Sequence, residues 1–238
     1  MAGLIDLHNH SLFGVDDGAQ TIETCMQMLK ASYEQGVRAI CFTPHYNPSA
    51  HATSLSEVRA SYQRVCSVSA QKYPDLALLL GNEVYAYPDS VDSLEAGKCI
   101  PLGEGRVVLV EFSPHVGYRE MRNRFLSYQT AGYRPLLAHA ERYVCLYEDD
   151  ERVRELVDMR VDIQVNAESV LRFSHLRTYR FVHRLLSRRL VQVIASDMHE
   201  PDGAHIMLRA CRKIERRYGA QYARQLFFTN PKRILLRK

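Results

Sequence analysis

Residues 4–10 read Leu4-Ile5-Asp6-Leu7-His8-Asn9-His10, a short apolar strand that runs directly into two imidazoles. Residues two apart on a strand project to the same side, so His8 and His10 can reach one metal ion. Alone, such a pair is a weak signal, better explained as two surface histidines. The pattern gains weight because it recurs. The apolar runs 37–43 (VRAICFT), 76–83 (LALLLGNE), 106–112 (RVVLVEF), 134–139 (RPLLAH) and 191–197 (VQVIASD) end at or beside His45, Glu83, Glu111, His139, and Asp197 with His199. Singly, each has a bland explanation, a loop histidine or a structural ion pair. Jointly, those explanations need the same coincidence at six strand ends. A carboxylate placed straight after a buried strand is expensive unless it is paired or metal-bound. In a barrel of parallel strands these ends converge on one face, where active sites are built. Asp16 and Asp17, in the Asp-Asp-Gly just after the first strand, can each reach back as an oxygen ligand. Imidazoles mixed with carboxylates, without thiolates, suit manganese, iron or zinc. One polynuclear metal centre, and so a hydrolase, is the chemistry this pattern predicts.

The stretches between these runs carry helical periodicity. Residues 21–36 place Ile22, Cys25, Met26, Leu29 and Tyr33 on one face, with Gly36 as the stop. Residues 54–68 open on Ser54 and Glu57 in capping-box spacing. Amphipathic segments at 118–132, 151–160, 178–189 and 203–219 complete the set. Strands are expected near 4–8, 37–43, 76–82, 106–112, 134–138, 161–165 and 191–195. Strand alternating with helix at this rhythm predicts a parallel sheet with right-handed crossovers. Seven such units favour a closed or nearly closed barrel, with residues 1–238 as a single domain.

Composition narrows the function classes. The chain is 46% hydrophobic and 24% charged, ordinary for a globular enzyme. No apolar run approaches a membrane span, and the first residues lack a basic leader, so a cytoplasmic protein is expected. Six cysteines at 25, 41, 66, 99, 145 and 211 form no CxxC pair, which leaves a thiolate zinc site unsupported. The net charge of +4 gathers in basic helix faces of the last third, without aromatic interleaving, so nucleic acid is not an expected partner. No GxGxxG, P-loop or GxSxG occurs. Cys211 and Arg217 have the spacing of a cysteine-dependent phosphatase, but they lie in a helix-like stretch whose interior has no free backbone N–H groups to cradle phosphate.

The ordered stretches LIDLHNHSLFGVDDGA, TPHY, GNEVY, LVEFS, AHAERY, IASDMH and TNPKRILL resemble the polymerase and histidinol phosphatase (PHP) superfamily. Within it they look most like the manganese-dependent protein-tyrosine-phosphatases encoded with bacterial capsule and exopolysaccharide genes. The resemblance covers residues 4 to about 236. It implies a distorted (β/α)7 barrel of the PHP type holding a three-metal cluster, with Mn2+ as the expected ion and Fe or Zn as alternatives. It implies one metal on His8, His10, Glu83 and Asp197, a second on Glu83, Glu111 and His139, and a third on Asp17, His45 and His199. Arg142 would bind the phosphate. The implied activity is hydrolysis of a phosphotyrosine protein by metal-activated water, the partner being a bacterial tyrosine kinase of polysaccharide export. A small-molecule phosphatase of the histidinol-phosphate type is the alternative enzyme, and a non-enzymatic or nucleic-acid-associated PHP module the alternative class. An amidohydrolase would bridge its metals with a modified lysine, where this chain has Glu83 and Glu111. The chain departs from the pattern in one place: Glu200 replaces an asparagine, and Ala204 and His205 stand where relatives carry an arginine.

Overall fold

The structure, a computed structural model, describes residues 3–50, 53–147, 149–171, 176–201 and 206–236. Ala204 and His205 lie outside the described residues. Among the described residues nine strands form, β1 (Leu4–Asp6), β2 (Val37–Phe42), β3 (His45–Tyr46), β4 (Ala77–Leu80), β5 (Glu83–Tyr85), β6 (Val107–Glu111), β7 (Arg134–Leu137), β8 (Asp162–Asn166) and β9 (Val193–Ala195). Every strand pairing is parallel. The order is β1-β2-β4 in one sheet and β3-β5-β6-β7-β8-β9 in the other.

Seven of these segments fall at the seven expected strand positions, and two short ones, β3 and β5, lie just beyond the second and third. β3 continues β2 after Thr43-Pro44, and β5 continues β4 after Gly81-Asn82. Proline has no N–H to give the ladder, so pairing breaks there and resumes two residues on. Across the break, Gly81 N–H donates to Phe42 O at 2.8 Å and Glu83 N–H to Pro44 O at 3.2 Å, which holds the two sheets in one curve. The curve closes at its mouth. Asp197 N–H donates to His8 O at 2.9 Å, and His10 N–H to Met198 O at 3.0 Å. Deeper in the same seam, the Asp6 carboxylate accepts from Ser196 N at 2.9 Å, Ser196 Oγ at 2.6 Å and Asn9 Nδ2 at 3.1 Å. Side chains therefore join β1 to β9 where no ladder does.

All six amphipathic stretches are helical, at Ile22–Glu34, Leu55–Lys72, Tyr118–Thr130, Asp150–Asp158, Leu176–Ser187 and Ile206–Tyr218. The Ser54–Glu57 capping box forms, and Gly36 follows the first helix at φ 87°, where a side chain would be strained. The outward strand residues, among them Val108, Val110, Leu137, Ile163 and Ile194, pack against helix residues such as Phe125, Leu156 and Leu185. A second cluster fills the barrel floor: Ile5, Leu7, Val107, Leu109, Leu136 and Val193, joined by Ile234 and Leu235 of the helix Asn230–Leu236.

Candidate metal centre

The strand ends deliver their polar residues to one point at the mouth. Glu83 lies at the centre, 1% exposed. Its Oε2 is 3.0 Å from His8 Nε2, 3.2 Å from His10 Nε2 and 3.2 Å from His45 Nδ1, and its Oε1 is 2.8 Å from His139 Nε2. Glu111 Oε1 is 3.5 Å from His139 Nε2, and its Oε2 is 3.5 Å from His45 Nδ1. Asp197 Oδ1 is 3.3 Å from His8 Nε2 and 3.5 Å from His10 Nε2. Asp17 Oδ1 is 3.5 Å from His199 Nε2 and 3.7 Å from His45 Nε2. Three groups have ligand atoms within 4.8 Å of one another: His8, His10, Glu83 and Asp197; His45, Glu83 and Glu111; and His10, Asp17, His45 and His199. The expected set of Glu83, Glu111 and His139 is not among these groups: His45 takes the place of His139, which joins the cluster through its contacts with Glu83 at 2.8 Å and Glu111 at 3.5 Å. The groups differ in detail from the expected partition, since His45 stands beside Glu83 and Glu111 as well as Asp17, and His10 stands near two groups.

Asp16 and Asp17 separate into different roles. The Asp16 carboxylate accepts from His10 Nδ1 at 2.8 Å and from the backbone N–H groups of His45 at 3.1 Å and Gly18 at 3.1 Å. It is spent on orientation, and Asp17 is the one facing the imidazoles. This loop needs Gly18, because a Cβ there would sit 1.8 Å from the His10 carbonyl oxygen. With Asp16 accepting on Nδ1, His10 turns its Nε2 to Glu83, which ties it to the first group.

The electrostatics ask for a cation. The Nε2 atoms of His8 and His10 are 3.0 Å apart and face the same carboxylate oxygens. Asp197 Oδ1 is buried and has no hydrogen-bond partner among the described residues. Burial, reinforced by the Glu83 charge, pushes the Glu111 carboxyl up to about 8. Burial opposes ionisation of Glu83 too, yet His8, His10 and His139 around it hold its pKa well below the usual carboxylate range. Burial opposes protonation of His8 and His10, but Glu83 outweighs it, with Asp197 helping at His8 and Asp16 at His10, and both are raised. Without a metal, protons must neutralise this cluster. The imidazole–carboxylate donor set, with an orphaned oxygen aimed into it, fits hard or borderline divalent cations.

Arg142 stands beside the cluster on the short turn Ala140–Arg142, its guanidinium on Asp197 Oδ2 and its side chain 45% exposed. The sequence reading missed two buried amides, Gln164 and Asn166, which contact the cluster from β8. Their signal was faint: polar residues at alternate positions of a strand, which reads as an ordinary solvent side. Cys211 lies in the helix Ile206–Tyr218, away from these groups, and its thiol is pushed up by burial. All six cysteines are free.

The chain resembles known phosphatases in both sequence and fold. The chain is 34% identical over 239 residues to the tyrosine-protein phosphatase CpsB of Streptococcus pneumoniae, covering 98% of each chain. It is 28% identical over 196 residues to the tyrosine-protein phosphatase YwqE of Bacillus subtilis, covering 82% of this chain and 77% of the relative. Among solved structures, one from a study of YwqE and CpsB, described as unique metal-dependent tyrosine phosphatases, superposes with a TM-score of 0.89 at 26% identity, covering 98% of this chain and 94% of the other. A histidinol phosphate phosphatase of Lactococcus lactis, solved with zinc, L-histidinol and phosphate, superposes at 0.58 over 96% of this chain and 98% of the other; at 18% identity it shows the shared fold alone. The model of the capsular polysaccharide synthesis family CpsB/CapC matches residues 4–236. The chain belongs to the CpsB/CapC family of capsular polysaccharide synthesis.

Proposed function

We propose that this chain is a metal-dependent phosphotyrosine-protein phosphatase, that manganese is its metal, and that its substrate is a phosphorylated bacterial tyrosine kinase of polysaccharide export. The observation that carries the reading is the orphaned, buried Asp197 Oδ1 aimed at His8 and His10, beside a half-exposed arginine. His8, His10, Glu83 and Asp197 would hold one ion, Glu83, Glu111 and His139 a second, and Asp17, His45 and His199 a third. Bound ions supply positive charge to the phosphate oxygens and acidify the attacking water.

The chain's own residues do the rest. Arg142 gives the phosphate charge-assisted N–H bonds from a planar fork that a lysine cannot reproduce. Its contact with Asp197 fixes the direction of that fork. The left-handed backbone of His139 (φ 31°) and Asp197 (φ 52°) turns both side chains back over the barrel mouth. No cysteine is needed as nucleophile, and a tyrosine phenol, with a pKa near 10, leaves more readily than an aliphatic alcohol. Among the described residues no helix is long and apolar enough to cross a membrane. Free cysteines are at home in the reducing cytoplasm, where we place the protein.

The test compares a phosphotyrosine peptide with histidinol phosphate at equal manganese loading. The reading expects kcat/KM to favour the peptide. A preference for histidinol phosphate, or turnover that survives complete metal stripping, would overturn it.

A further inference from the structure

One strand gives no candidate ligand to the mouth. Yet β8 turns a polar side chain inward at each step, Asp162, Gln164 and Asn166, while Ile163 and Val165 pack outward with the helices. Gln164 is fully buried, so its amide has to find partners inside the barrel. Its Oε1 accepts from the backbone N–H of His139 at 2.6 Å and from Nδ1 of His8 at 3.2 Å. Its Nε2 donates to Asn166 Oδ1 at 2.7 Å, and Asn166 Nδ2 donates to Asp197 Oδ2 at 2.7 Å. The backbone N–H of Asn166 is held in turn by Glu141 Oε1 at 2.7 Å.

This chain of amides has only one direction. A backbone N–H can only donate, so His139 dictates which end of the Gln164 amide is the carbonyl. The Gln164 NH2 then points to Asn166, whose own oxygen must accept. That leaves the Asn166 NH2 for Asp197, a carboxylate that can only accept while ionised. Neither amide can flip without breaking contacts at both of its ends. The same logic fixes a tautomer. Facing a carbonyl oxygen, His8 carries a proton on Nδ1, which leaves Nε2, the atom on the side of Glu83 and Asp197, to serve as the ligand atom for a cation. A second observation stands at the two ends of the chain. His139 and Asp197 are two of the four described non-glycine residues with positive φ, at 31° and 52°. A side chain disfavours that backbone, and it persists where its surroundings hold it.

We propose that Gln164 and Asn166 are positioning residues, a one-way amide relay that sets the tautomer of His8 and pins the two left-handed residues His139 and Asp197 in metal-binding geometry. The inference rests on the metal-centre reading above. Outer partners of metal ligands are worth roughly ten- to hundredfold in metal affinity. Gln164 touches two ligands, His139 and His8, and Asn166 one, Asp197; the Asn166 link to Asp197 depends on the orientation Gln164 imposes.

The experiment measures manganese affinity by competition with a chromophoric chelator, for the wild type, Gln164→Met, Asn166→Leu and the double variant, together with the melting temperature of each metal-free protein. Both single changes should weaken manganese binding roughly ten- to hundredfold, Gln164→Met more than Asn166→Leu. In the double variant Asn166→Leu should add almost nothing to Gln164→Met, because both cut the same link. A packing role alone would lower the metal-free melting temperature and leave manganese affinity within about twofold of wild type; that result, or additive losses in the double variant, overturns the relay. If Asn166→Leu does not fold, Asn166→Ala removes the same donor with a smaller side chain. A wild type that binds no manganese would instead refute the metal centre itself, a different failure.

Discussion

Arg142→Ala separates the two roles proposed for one guanidinium. The side chain touches Asp197 Oδ2 and remains 45% exposed at the mouth, so it can bind a phosphate and also steady a metal-site carboxylate. If it grips phosphate with a bidentate fork, two charge-assisted bonds are lost, each worth about 1.5–3 kcal/mol. Their sum, about 3–6 kcal/mol, corresponds to a fall of roughly two to four powers of ten in kcat/KM. Metal content should survive, because Asp197 Oδ2 keeps the Asn166 Nδ2 bond at 2.7 Å and Oδ1 still faces His8 at 3.3 Å. Arg142→Lys should fall between, keeping the charge and losing the fork. The assay pairs kcat/KM on a phosphotyrosine peptide with metal stoichiometry on the same sample. Kinetics within about threefold of wild type, with metal intact, would show that the phosphate is held elsewhere. Simultaneous loss of metal and turnover would show that Arg142 acts through Asp197 rather than on the substrate.

Glu83→Ala should remove metal and activity together, since Glu83 faces His8, His10, His45 and His139 within 3.2 Å; elemental analysis of the purified variant checks this, and a fully metallated variant would contradict it. Cys211→Ser should leave turnover unchanged, and a dead variant with full metal content would restore the thiolate mechanism. Phe125→Ala, at a fully buried position against Phe112, should cost about 3–5 kcal/mol in urea unfolding of the metal-free protein; a loss under about 1 kcal/mol would mean that the cluster is loosely packed. His183 bonds Tyr218 Oη at 2.7 Å and Val170 O at 3.2 Å, and burial, with Arg217 and Lys213 nearby, pushes its pKa down to about 4. The unfolded chain takes up a proton near pH 6.5 that the fold refuses, so this contribution to stability is present above that pH and is lost as pH falls toward about 4. Unfolding midpoints at pH 7 and pH 5 should show the loss, and His183→Asn should reduce it; an identical loss in the variant would rule His183 out as its source.

The repeat of apolar run and ligand made the strand positions legible, because a buried parallel strand needs a continuous apolar run and an active-site barrel places chemistry at its end. Helices of nine residues or more were legible from their apolar stripes. Shorter pieces were not: Val144–Tyr147, Ala167–Leu171 and the π-helical Gln225–Thr229 are too brief for a period to show. The split at Pro44 was visible as a proline, but its effect on pairing depends on where β5 resumes. Asp16 and Asp17 are adjacent and chemically identical, and only the turn at Gly18 separates the orienting carboxylate from the one facing the imidazoles. Gln164 and Asn166 stayed hidden for a related reason. In Asp162-Ile163-Gln164-Val165-Asn166 the alternation is plain, but a sequence does not say that the polar side is the inside.

The barrel floor has a consequence for the order in which the protein can be made. Ile5 and Leu7 share a cluster with Ile234 and Leu235, so the first strand waits for almost the whole chain before its inner face is covered. On a ribosome adding about 5–20 residues per second, the strands from β1 to β9 emerge with an open, greasy underside. Nothing later than His199 is needed to gather the candidate ligands, so they can meet before the floor is sealed. A nascent chain stalled between those two points would hold a nearly complete catalytic mouth above an uncovered apolar base, the kind of species that chaperones retain and that aggregates when released.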